Sequence, residues 1–238
     1  LQPLLESAET GGPESTPKWR TGDLDEWNGP YYGFDTVDLV LTHHENQQIN
    51  AGHYGKWVRE RDPALVQSIH DDPPQHPRQL WVSPLAADLH PNRFIADRFS
   101  NFLDRRSPGK PFFTFIGFPG PHHPFAPSPE FLDEIGDWED PGVRDPESRL
   151  LEESRGLAAT LGILPETDMR GDPADLVPNV RRHTAAMIRQ IDDAVGRILG
   201  DLDARGLRES TIVVFTSDHG DYLGDHGLLY KHAAAAHC

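Results

Sequence analysis

Asp218 and His219 are the pair of residues best suited to chemistry in this chain. They close the run Thr211-Ile-Val-Val-Phe-Thr216 and Ser217, which is rich in β-branched and aromatic residues and reads as a buried strand. Gly220 breaks that strand, and Gly224 and Gly227 keep the next segment loop-like. Ligands of open α/β sheets bind beyond the carboxyl ends of the strands. A carboxylate beside an imidazole at that place suits metal ligation, with a carboxylate capping nearby amides as the bland alternative. A second pair, His122-His123, lies in Pro119-Gly-Pro-His-His-Pro-Phe125, a loop stiffened by three prolines. A third, His43-His44, follows a half-buried strand, and exposed surface histidines are the better reading there than metal ligands.

The elements that must position these residues are legible in the periodicity. Val37, Leu39 and Leu41 alternate with polar residues, predicting a strand over 34–41. A short helix is expected over 48–61, stopped by Asp62-Pro63, with loop over 70–84. Ile95, Phe99 and Phe102 mark one face of a helix over 92–104. The turn 107–111 leads into a second buried strand, 112–118. Ser128 and Pro129 start a short helix. Ile188, Ile191, Val195, Ile198 and Leu202 step by three and four along a long helix from near Asn179 to Arg205, with Gly206 as its stop. Residues 1–22 read as loop or frayed terminus, and 136–177 as an acidic, solvated loop excursion. Helix-turn-strand order predicts an α/β fold with a mixed, largely parallel sheet flanked by helices.

Composition narrows the function. The 238 residues carry a formal charge of −16, which argues against nucleic acid as a partner. An anionic substrate would need a local positive focus against that field. The 37% hydrophobic content, a mean hydropathy of −0.57 and the lack of a long apolar run predict a soluble domain without a membrane span. The first residues are not a signal peptide, and the one cysteine fixes no compartment.

Taken together, Ser217-Asp-His-Gly-Asp221, Leu223-Gly-Asp-His-Gly227, Lys231, Pro111-Phe-Phe-Thr-Phe115 and Pro121-His-His-Pro124 resemble the sulfatase family of the alkaline phosphatase superfamily. His90-Pro91 and Ile95-Ala-Asp-Arg98 resemble the helix before its second site strand, and the likeness runs from about Tyr31 to Lys231. The resemblance implies metal-dependent hydrolysis of a small sulfate ester. Asp218 and His219 would be metal ligands, and His122 and Lys231 would bind the sulfate and serve catalysis. His122 would be the proton donor, since an imidazole titrates near neutrality. Ca²⁺ is the first expectation, and a nitrogen ligand admits Mn²⁺ or Zn²⁺.

Two features depart from the family. No Cys-x-Pro-Ser-Arg segment, the site of formylglycine, occurs in the chain, and no acidic pair before Tyr31 matches the first metal carboxylates. The resemblance therefore implies a partial domain, inactive alone and with strands left unpaired. The alternatives are a phosphonate or phosphate ester hydrolase on the same scaffold, and a sulfatase-like binding protein without catalysis.

Overall fold

The structure, a computed structural model, describes residues 12–43, 48–76, 78–143, 173–225 and 228–231. Its helices are α1 (Thr16–Thr21), α2 (Gly52–Arg61), α3 (Pro63–Asp71), α4 (Pro91–Arg105), α5 (Pro129–Ile135) and α6 (Leu176–Ala204), followed by a 3₁₀ turn at Arg208–Ser210. No helix among the described residues is long and apolar enough to cross a membrane.

The long helix α6 organises the packing. Ala194, Ile198 and Leu202 form a buried seam with Ala96, Phe99 and Leu103 of α4. Fully burying one large aliphatic or aromatic side chain contributes about 1.5–3 kcal/mol, so this seam is a principal source of stability. Its polar edge is tied by Arg205, whose Nη1 and Nη2 reach Asp201 and Asp104 at 2.6 Å each. α5 packs on the same helix through Phe131, Leu132 and Ala186. A second core joins Tyr54, Trp57 and Val58 of α2 to Val66, Ile69 and Phe94. Because α4 is buried on two sides, Phe94 and Leu103 are buried while Ile95 and Phe102 are only partly covered. The apolar face predicted for α4 is corrected accordingly. On α6, Ile188 is 53% exposed, because the face turned to α4 and α5 runs through Met187, Ile191 and Ala194 instead.

Local chemistry sets several ends differently from the sequence expectation. Asp62 ends α2 and also starts α3, its carboxylate accepting from Leu65 N at 2.8 Å with Pro63 at the first helical position. α3 therefore replaces part of the loop expected near residue 70. Ser128 does not cap α5 through its side chain; its Oγ accepts from Gln190 Nε2 at 3.0 Å, tying α5 to α6. The frayed terminus expected over 1–22 contains α1, anchored by buried Trp19. Residues 1–11, most of the acidic excursion and the alanine run 233–236 lie outside the described residues. α6 begins at Leu176.

The predicted sheet is not seen as paired strands among the described residues. Among the described residues, strand pairing is confined to isolated bridges, Tyr31 with Phe34 and Leu80 with Phe125. Exposure alternates residue by residue from Phe112 to Phe118, the period of a strand. Phe112, Ile116 and Phe118 pack on the α4–α6 seam, while Phe113 and Phe115 are 78% and 76% exposed. The segment 211–217, also expected to be a buried strand, leaves Ile212, Val214 and Phe215 at 93%, 79% and 76% exposure. The segment 36–41 turns its backbone to a helix: Leu39 N donates to His53 Nδ1 at 2.9 Å, and Leu39 O accepts from Tyr54 N at 3.1 Å. β-branched residues favour a strand, but a ladder also needs neighbours at hydrogen-bonding distance.

Candidate active site

The loop after residue 217 is built by short-range hydrogen bonds and then pinned to α6. Ser217 Oγ donates to His219 O at 2.7 Å, and Asp218 Oδ1 accepts from His219 N at 3.0 Å. Asp221 Oδ1 accepts from Leu223 N at 3.1 Å. Tyr222 N donates to Tyr230 O, and Gly224 N to Leu228 O, at 3.0 and 2.8 Å, closing the loop on itself. Arg181 of α6 holds it from below, donating to Leu223 O at 2.7 Å, to Asp225 at 2.6 Å and to Gly142 O. Gly224 has φ +97°, and a Cβ there would lie 2.5 Å from the Val177 side chain, so only glycine lets the loop approach α6 this closely.

Lys231 Nζ donates to His219 Nε2 at 2.8 Å, and His219 Nδ1 lies 2.8 Å from Gly220 O. Both contacts are made together by a neutral ring with its proton on Nδ1. Asp218 Oδ2 stands 3.4 Å from that Nε2. Ligand bonds of about 2.0–2.4 Å place neighbouring donors on one ion about 3 Å apart, so this oxygen and nitrogen fit a single cation. The Lys231 ammonium meets one of them now. Among the described residues no group of three or more His, Cys, Asp or Glu converges for a metal.

His122 lies in the loop between α4 and α5, where the Gly120-Pro121 and His123-Pro124 bonds are cis. Its Nδ1 lies 2.5 Å from His123 O. Burial pushes His122 below the ordinary 6.5 and the Lys231 charge lowers it further, while the hydrogen bond to the His123 carbonyl and the Asp221 carboxylate oppose this. Burial raises Asp221, against the pull of the Leu223 amide and of His122 and His219. Asp218 is surface-exposed. Its slight desolvation acts upward, but His219, backbone amides and Lys231 outweigh it and hold the carboxyl below its usual range.

His122 thus lies within electrostatic reach of His219 and Lys231 although about a hundred residues separate them, and Asp218 adjoins His219. Sequence reasoning gives no role to Asp221, which is partly buried and within electrostatic reach of both histidines. It also reads His43 as a plain surface residue. The His43 ring stacks on His122 with centroids 3.9 Å apart and an interplanar angle of 16°. No local signal links residues 43 and 122, because they meet only through the packing of separate loops. His44 and His226 lie outside the described residues.

Comparison with known proteins gives a consistent picture. The family model described as Sulfatase matches residues 29–237. An arylsulfatase of Clostridium perfringens is 31% identical over 185 residues, covering 75% of this chain and 36% of that protein. The multifunctional alkaline phosphatase superfamily protein PehA of Trinickia caryophylli is 29% identical, over 74% of this chain and 34% of that one. Human iduronate 2-sulfatase is 32% identical over 60% of this chain and 28% of its own length. The crystal structure of the phosphonate monoester hydrolase of Agrobacterium radiobacter superposes with a TM-score of 0.65 at 22% identity, covering 87% of this chain and 42% of that one. The chain therefore spans roughly a third of the curated relatives it matches.

Proposed function

The chain belongs to the sulfatase family, and from that premise we propose that it is part of the catalytic domain of a metal-dependent hydrolase of small sulfate esters. The observation that carries the reading is the contact of Asp218 and Lys231 with His219, with His122 within electrostatic reach of His219 and Lys231, inside a segment matched by the sulfatase model. Ester cleavage needs a nucleophile, neutralised charge on the sulfuryl oxygens and a proton for the leaving oxygen. A divalent cation, when bound at Asp218 and His219, supplies Lewis-acid charge neutralisation. Ca²⁺ suits the carboxylate, and the imidazole donor admits Mn²⁺ or Zn²⁺.

Lys231 offers the local positive charge that a protein of net charge −16 needs to hold an anion. To do so it exchanges its contact with His219 Nε2 for one with a sulfate oxygen. With Nδ1 on the His123 carbonyl, His122 keeps Nε2 for substrate. Its depressed pKa leaves the free ring neutral at pH 7, and an anionic ester beside it favours the protonated form that donation requires. None of the 238 residues lies in a Cys-x-Pro-Ser-Arg segment, so no covalent step is assigned to them.

A second reading, a phosphonate ester hydrolase, is favoured by the structural likeness to the phosphonate monoester hydrolase and by the similarity to PehA. Both readings are tested by assaying the natural full-length protein on matched 4-nitrophenyl sulfate and phenylphosphonate esters with Ca²⁺, Mn²⁺ and Zn²⁺ in turn. The sulfate ester should have the higher kcat/KM, and His122→Ala should lower kcat by about 10²–10⁴-fold. Preference for the phosphonate by more than about tenfold, a difference of about 1.4 kcal/mol, would install the second reading. Full activity after Asp218→Ala would sink both.

A further inference from the structure

We propose that His43 is a positioning residue for His122, held over it by a clasp between Thr42 and Gln48. The inference rests on the sulfatase reading, in which His122 faces substrate. The His43 and His122 rings lie nearly parallel with centroids 3.9 Å apart, and the His123 ring lies 4.0 Å from His122. The His122 Nδ1 is engaged by the His123 carbonyl at 2.5 Å. That bond fixes the direction of the ring within its plane, and the neighbouring rings oppose rotation out of it. Nε2 is thereby aimed along one direction. Orientation of this kind governs rate steeply, since a displacement of about 1 Å can cost about a hundredfold.

The support for His43 is itself built. Thr42 has φ +68°, a left-handed conformation that a β-branched residue rarely adopts and that persists only where surroundings enforce it. Gln48 does so here: its side chain, in a residue only 4% exposed, donates from Nε2 to Thr42 O at 3.2 Å. His43, Gln48 and His122 line one cavity of about 30 Å³, together with His90 and Asn92. His43 is exposed, so truncating it leaves no buried void. Its contact with His122 is thus separable from the stability of the core.

The experiment uses the natural full-length protein with ¹³C-labelled histidine, the His122 ring signal being assigned by its loss in His122→Ala. Steady-state kinetics on 4-nitrophenyl sulfate run alongside. His43→Ala should move the His122 signal, lower kcat by about tenfold and change KM by less than about twofold, as expected when orientation rather than uniform binding is lost. His43→Phe, which restores a ring face but no polar atom, should recover most of the loss. Gln48→Leu should move the His122 signal in the same sense as His43→Ala. An unmoved His122 signal in His43→Ala overturns the proposal whether or not the ester is turned over. Equal loss in His43→Phe and His43→Ala also overturns it, because the effect would then belong to the polar atoms of His43. Failure of the sulfatase reading would show separately, as no turnover by the unmutated protein.

Discussion

The α4–α6 seam and the segment 211–217 are made of similar residues and have opposite fates. Ile198 and Leu202 are buried against Phe99 and Leu103, whereas Ile212, Val214 and Phe215 stand almost wholly in solvent. The difference lies in what each element needs from its surroundings. A helix satisfies its own backbone hydrogen bonds, so one apolar partner completes it. A strand needs neighbours for its backbone as well as covers for its faces. α4 provides the partner for α6, and among the described residues no ladder forms beside 211–217. Segment 112–118 is intermediate, with one face on the seam and the other open.

The sharpest way to break this comparison is to truncate one residue from each region. Leu202→Ala should destabilise the protein by about 2–5 kcal/mol through lost transfer energy and a cavity. Ile212→Ala should change stability by less than about 0.5 kcal/mol, as for other exposed sites. Urea unfolding of both variants checks this. Equal losses would mean that 211–217 is covered in solution and that the contrast belongs only to the isolated chain.

Arg181 ties α6 to the loop that follows segment 211–217, and its removal tests how far that loop depends on the helical layer. Arg181→Met should cost about 1.5–3 kcal/mol, because charged hydrogen bonds to Asp225 and Leu223 O are lost from a largely buried side chain. Amide exchange in residues 221–225 should accelerate while that of 191–202 stays slow. Unchanged exchange in the loop would show that its own hydrogen bonds suffice to hold it.

The smallest effect concerns acid. Burial pushes His90 down to about 3 from its ordinary 6.5, and its Nδ1 accepts from Asn92 N at the start of α4 at 3.2 Å. The unfolded chain binds the proton more readily than the folded one, so stability is full above pH 6.5 and falls as pH drops toward about 3. Between pH 7 and pH 4 the loss from this residue should be about 1–3 kcal/mol, since the ring keeps some solvent access. Thermal unfolding of His90→Gln should show a correspondingly weaker acid dependence. An identical dependence would assign the acid loss to other groups, such as His53 and His183, which burial also lowers.

The candidate site is legible in the sequence in proportion to how local its signals are. Asp218 and His219 adjoin, a run of β-branched residues precedes them, and the proline-bounded His122 loop stands out in any reading. The resemblance to sulfatases joins these pieces across a hundred residues. His43 escapes because nothing near it in the chain refers to His122, and a ring stack has no sequence period. α3 escapes because Asp62-Pro63 reads first as a stop, although the same dipeptide is a good start.

By itself the sequence determined the long helix α6, the turn that delivers Asp218 and His219, and the absence of a Cys-x-Pro-Ser-Arg segment. Each depends on residue types within a few positions of one another, where 3.6-residue periodicity, glycine and proline act directly. Tertiary structure decided which apolar faces are covered, which carbonyl Gln48 holds, and that Lys231 lies on His219 Nε2. Those outcomes depend on which distant segments reach one another. An apolar or charged side chain carries a demand for a partner, and only the folded chain determines whether that partner arrives.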